Sequence, residues 1–156
     1  LFSLPKRPDL TIPCCSHYQN ASCRVSSTHS ANPLACAAGK ANLQALLEDG
    51  LIRNSEELGK VFHKRIEAIR ARFANHLAYV QGKGLLAALI FLTPDQQPLT
   101  PLCDRICELC LHRGLLVVHT GRESIKLAPP LMIHETAMME GLDVLETSIE
   151  DAIRES

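Results

Sequence analysis

Leu58, Val61, Phe62, Ile66 and Ile69 recur three and four residues apart, the spacing that gathers apolar side chains on one helical face. Met138, Leu142, Leu145, Ile149 and Ala152 repeat the device and predict a closing helix over 135–154. An Ala-rich stretch over 33–48 reads as the first helix. Asn32 suits its N-cap, Pro33 its first turn, and Asp49-Gly50 its end, with glycine taking the left-handed position. Asn54-Ser55-Glu56-Glu57 has the pattern of a capping box and predicts that the second helix opens at Asn54. Beyond Asn75 the period shortens. Residues 77–81 and 85–92 read as strands around Gly82-Lys83-Gly84, and 115–119 and 124–128 as a second pair around Thr120-Gly121-Arg122. Thr100-Pro101 opens a helix between the pairs that runs to about His112, and Pro129-Pro130 stops the sheet. The order predicts an α+β fold, a short antiparallel sheet packed against helices. Residues 1–26 hold Pro5, Pro8 and Pro13, show no sustained period and read as an irregular N-terminal segment.

At 156 residues and 46% hydrophobic composition, the chain has material for one core. A net charge of −1 argues against nucleic-acid and membrane partners. The basic face of Lys60, Lys64, Arg65, Arg70 and Arg72 on the second helix reads as solvated surface. No apolar run approaches the roughly 20 residues that span a bilayer, and the start lacks a signal-peptide pattern. Seven cysteines, an odd number, fit reduced thiols and a cytoplasmic location. Cys103, Cys107 and Cys110 have a cluster-ligand spacing. That spacing also puts them on one helical face, where they read as packed apolar positions and not as a metal site. A first residue of Leu suggests a piece of something longer.

Candidate chemistry concentrates just before the first helix. Ser27-Thr28-His29-Ser30-Ala31-Asn32-Pro33 brings hydroxyls and unpaired backbone N–H groups to a helix start, a favourable place for an anion such as a phosphate. Gly82 and Gly84 read as backbone devices for a turn; they do not make a dinucleotide fingerprint.

The run from Thr28 through Ala38 resembles the Thr-His-Ser-(Gly/Ala)-Asn-Pro-Leu-Ala-Cys-Ala-Ala segment of class III aminotransferases, fold-type I enzymes that use pyridoxal 5'-phosphate. Three later stretches resemble the same family in the same order: Val80-Gln81-Gly82-Lys83-Gly84-Leu85, Arg113-Gly114-Leu115-Leu116-Val117 and Ile125-Lys126-Leu127-Ala128-Pro129-Pro130-Leu131. The resemblance implies that 27–156 is the small C-terminal domain of such an enzyme. It implies that Thr28, with Ser27 as a weaker candidate, hydrogen-bonds the cofactor phosphate in the neighbouring subunit of a homodimer. His29 reads as packed or solvent-facing. Lys126 stands where many members place an arginine that grips the substrate carboxylate.

The family's chemistry also needs a lysine joined to the cofactor and an acid on the cofactor's ring nitrogen, both upstream of the threonine motif. Lys6 is the one lysine there and its surroundings do not match, so no catalytic residue is assigned and this chain alone is expected to be inactive. The implied parent function is transfer of an amino group from an amine or amino acid to a 2-oxo acid. The alternatives are a non-catalytic truncated or relict domain acting as an interaction module, and a lyase, decarboxylase or racemase of the same fold.

Overall fold

The computed structural model describes residues 32–155. Packing divides the chain into two units, Leu1–Lys40 and Ala41–Ser156. Of the first unit only 32–40 is described, the first half of helix α1, Pro33–Glu48. Asn32 caps α1 as expected: its Oδ1 accepts the Leu34 N–H at 2.9 Å and, at the 3.5 Å limit, the Ala35 N–H. Gly50, at φ 71°, takes the left-handed position that ends the helix. No residue of α1 is buried, so its Ala-rich sequence supplies propensity without a packed face.

The second unit is built from α2 (Leu51–Arg72), β1 (Leu77–Lys83), β2 (Leu86–Phe91), α3 (Thr100–His112), β3 (Val118–His119), β4 (Ser124–Leu127) and α4 (Glu135–Glu155). The strands form one antiparallel sheet in the order β1-β2-β4-β3. Ala87, Leu89, Phe91, Ile125 and Leu127 pack into a core with Phe62, Ile66 and Ile69 of α2, Ile106 of α3, and Met138, Leu142, Leu145 and Ile149 of α4. The apolar faces anticipated for α2 and α4 are thus the faces that pack. The α+β class holds: helices on an antiparallel sheet.

Three boundaries differ from expectation, each for a local reason. α2 opens at Leu51, behind Gly50, with no side-chain cap. Asn54 is withdrawn from capping because its Nδ2 donates to the Leu131 carbonyl at 2.6 Å, tying α2 to the segment beyond Pro130. Thr100 lies inside α3 and Leu99 occupies the cap position, so Pro101 alone of the anticipated pair keeps its role. The strand over 115–119 shrinks to Val118–His119, because the Leu115 N–H turns back to the Cys110 carbonyl at 2.9 Å and Gly114 sits at φ 81°.

The β1–β2 hairpin turns at Gly84-Leu85, with Lys83 still paired to Leu86. Gly84 has φ 59°, and its backbone lies against α2. A Cβ built on Gly59 would fall 2.6 Å from the Gly84 Cα, and one on Gly84 would fall 2.7 Å from the Ser55 Oγ. Ser55 Oγ accepts the Leu85 N–H at 3.3 Å and fixes the turn from the other side.

Polar contacts clamp the helices. Arg65 pairs with Asp143 at 2.8 Å and with Glu146; Arg72 reaches Glu146 at 2.8 Å and Glu150 at 2.6 Å. The basic face of α2 is therefore not simply solvated: two of its arginines bridge to α4, while Lys60 and Lys64 stay exposed. Burial raises the Glu146 carboxyl, but hydrogen bonds and charge from Arg72 and Arg65 outweigh it and hold the group below its usual range. His119 contacts Asp104 Oδ1 through Nδ1 at 2.7 Å and donates from Nε2 to the Arg122 carbonyl at 2.7 Å, pinning the β3–β4 turn to α3.

Cys103 and Cys110 are fully buried in the core and Cys107 packs against it, the apolar role expected of them. Burial, with neighbouring Cys107 and Asp104 adding to it, pushes the Cys103 thiol up to about 12; burial lifts Cys107 to about 11. Neither is a thiolate at neutral pH. Among the described residues no group of three or more His, Cys, Asp or Glu is arranged to hold a metal ion. Among them, too, no helix is long and apolar enough to cross a membrane.

Two outcomes test this packing. Gly59→Ala forces its methyl against backbone and should cost about 2–4 kcal/mol in urea unfolding, whereas Gly39→Ala, with open space around it in α1, should be neutral or stabilise by up to about 1 kcal/mol. Glu146→Gln should cost about 1–2 kcal/mol at pH 7. The folded-state pKa of Glu146 is depressed, so its contribution is full above the unfolded value near 4.5 and is lost as pH falls through the folded value. The wild type and Glu146→Gln should therefore converge in stability as urea titrations are repeated from pH 7 down to below pH 4.

Candidate substrate and cofactor contacts

Lys126 occupies the third position of β4, between Ile125 and Leu127. Both neighbours are buried, and strand alternation sends Lys126 to the opposite, exposed face of the sheet. The register sets it in a cross-strand row of Val118, Lys126, Ala88 and Gln81. Tyr79 and Val118 are about half exposed on that face, and Gln81 is exposed. The family resemblance singles out Lys126 but not the row; Gln81 and Val118 become its neighbours only through strand register. Among the described residues Lys126 forms no ion pair, so its ammonium is free to meet an anion.

A second feature lies close by. Leu115, Val117, Ala128, Pro129, Met138 and Leu142 help to line an apolar cavity of about 360 Å³, and Lys126 is the one charged residue among those that border it. The cavity runs along the core side, between the segment before β3 and α4. Alternation directs the Lys126 side chain away from that side, so the ammonium serves the open sheet face and not the cavity.

Thr28, Ser27 and His29 lie outside the described residues. The described helix start that follows them is informative nonetheless. Asn32 Oδ1 already takes the Leu34 N–H and weakly engages the Ala35 N–H, and Pro33 has none. The first turn of α1 is therefore not a nest of unpaired donors, as its sequence suggests. It retains the positive end of the helix dipole, and it carries no acidic residue to repel an anion.

Comparison with known proteins places this arrangement. The sequence profile of the family described as Aminotransferase class-III matches residues 16–149. An ornithine aminotransferase of Bordetella pertussis is 37% identical over 107 residues, 69% of this chain and 24% of the relative. An alanine/serine racemase of Pyrococcus horikoshii is 28% identical over 128 residues, 81% of this chain and 27% of the relative. The crystal structure of acetylornithine aminotransferase from Elizabethkingia anophelis superposes with a TM-score of 0.70 at 32% identity, over 81% of this chain and 30% of that one. The chain thus spans about a quarter of the length of the curated relatives it matches. A profile matched over most of the sequence, and a superposition over 81% of the chain, carry one conclusion: this chain belongs to the class III aminotransferase family.

Proposed function

We propose that this chain is the C-terminal segment of a pyridoxal-phosphate-dependent aminotransferase that moves an amino group from an amine or amino acid to a 2-oxo acid. The observation that carries this reading is the family profile matched from residue 16 to residue 149. Relatives named for ornithine and acetylornithine suggest a diamino acid or its acetylated form as donor.

Within that reading each candidate residue has a defined task. Thr28, with Ser27 beside it, donates hydroxyl hydrogen bonds to the cofactor phosphate across a homodimer interface. The α1 dipole reinforces them, and the absence of acids in its first turn suits a dianion. The backbone N–H groups there contribute little, because Asn32 holds them. Lys126 attracts the substrate carboxylate to the open sheet face; as an ammonium it supplies a point charge, where a guanidinium would supply two parallel hydrogen bonds. Pyridoxal phosphate, when bound, supplies the electron sink for charge at the reacting carbon. The lysine that anchors it belongs to sequence not in this chain. Lys40, Lys60, Lys64, Lys83 and Lys126 all sit on exposed positions of α1, α2, the hairpin and β4, where no enclosed pocket surrounds them. A cytoplasmic location accompanies this reading.

The racemase relative favours a second reading, a different pyridoxal-phosphate reaction on the same scaffold. This segment cannot choose between them by itself, since the bond broken is set by how the substrate is oriented over the cofactor. A truncated, non-catalytic interaction module is the remaining alternative.

Mixing the 156-residue chain with pyridoxal phosphate, reducing with borohydride and mapping the peptides tests the assignment of roles. Scattered, substoichiometric labelling of surface lysines is expected. Stoichiometric attachment at one lysine would overturn the claim that the anchoring residue lies elsewhere. Sequencing the transcript across the Leu1 codon tests the parent enzyme. An open frame continuing into a lysine-bearing domain supports it, and a stop codon immediately upstream replaces it with the module.

A further inference from the structure

The Gly84-Leu85 turn that follows Lys83 in the β1–β2 hairpin is not used by the proposed chemistry, yet it is held in place at some expense. Gly59 and Gly84 approach so closely that neither tolerates a Cβ, and Ser55 braces the turn through the Leu85 N–H. The contact builds an open recess of about 790 Å³ between α2 and the hairpin, bordered by Ser55, Glu56, Lys60, His63 and Lys83. Two ammonium groups thereby share one recess. Among the described residues neither Lys60 nor Lys83 has an acidic partner. Glu56 stands one turn before Lys60, at the spacing that favours an ion pair, and the two do not pair. His63 Nε2 is buried without a hydrogen-bond partner among the described residues, a state that ordinarily costs enough to be avoided.

We propose that this recess binds a phosphate group. The donors fit the chemistry. Lys60 and Lys83 offer charge from the helix and from the turn. His63 borders the recess, with its unpartnered Nε2 beneath the surface. Ser55 Oγ accepts the Leu85 N–H and so keeps its own proton to donate. Glu56 suits the one hydroxyl that a monohydrogen phosphate carries, as an acceptor beside the donors. The close packing of Gly59 on Gly84 holds the end of the hairpin against α2 and so sets Lys83 beside Lys60. The site is separate from the open sheet row around Lys126 and does not depend on the function proposed above.

Titration of the full 156-residue chain with inorganic phosphate at constant ionic strength, followed by ¹H–¹⁵N NMR, tests the proposal, with sodium chloride as control. Saturable shifts at His63, Lys83, Gly84 and Leu85 are expected, without a matching response to chloride. Lys60→Ala and Lys83→Ala should each weaken phosphate by roughly tenfold, the loss of one charge-assisted contact, while Lys64→Ala on the same helix leaves it unchanged. Shifts that never saturate, a response shared with chloride, or an affinity unaltered in the Lys60→Ala/Lys83→Ala double variant would overturn it. Melting curves of every variant separate lost binding from lost folding.

Discussion

Everything in the second unit depends on the sheet having one face in the core. Leu89 and Ile125 are fully buried, as are the ring of Phe91 and the side chain of Ile149 packed from α4. Each such side chain contributes about 1.5–3 kcal/mol over its exposed state. A strand slip of one residue would expose Ile125 and Leu127 together and bury Lys126, adding a charge-burial cost to the lost apolar burial. Register is therefore fixed by several large apolar terms acting in one direction. The exposed position of Lys126 is their by-product: among the described residues no ion pair holds it there. Function, on the proposed reading, rests on the residue that the core left over.

Against that, the polar clamps are secondary in energy but specific in geometry. Glu146 takes both Arg65 and Arg72, and those arginines are a quarter to a half exposed, so solvent screens them. Their effect is to set the angle and register of α2 on α4. The Gly59–Gly84 approach does the corresponding work for the hairpin, and it is less forgiving because the obstacle to any side chain is backbone. His119 does it for the β3–β4 turn by holding Asp104 and the Arg122 carbonyl at once. Three local contacts thus orient elements whose burial is supplied elsewhere.

The faces of α2 and α4 were legible in the sequence because helical periodicity and burial report the same thing. The alternation around Ile125 and Leu127 was legible for a similar reason. The misplaced boundaries turn on where hydrogen bonds go, which the local signal does not report. Asn54 has the right chemistry for a cap and spends its amide on Leu131, 77 positions away. Residues 115–117 have strand chemistry, but the backbone of Leu115 closes the end of α3. At the α1 start the backbone donors that the sequence offers are not free, since the capping residue that makes the helix start also takes them up. Thr28 and Ser27 were named through family likeness, and the described residues begin four positions too late to place Thr28. The row around Lys126 and the recess around Lys83 were invisible because both are assembled across strands or between strand and helix, where no spacing rule reaches.

Lys126 in place of arginine has a consequence that follows from its row. A guanidinium fixes a carboxylate in one plane through two parallel bonds, so it can specify orientation unaided. An ammonium on a flexible stem specifies only distance. Its cross-strand neighbours, Ala88 and Val118, have no polar side-chain atoms to complete the grip, and Gln81 stands one strand further on, beyond Ala88. Under the proposed role, orientation of the substrate must then come from whatever faces this sheet, with Lys126 supplying attraction and not aim.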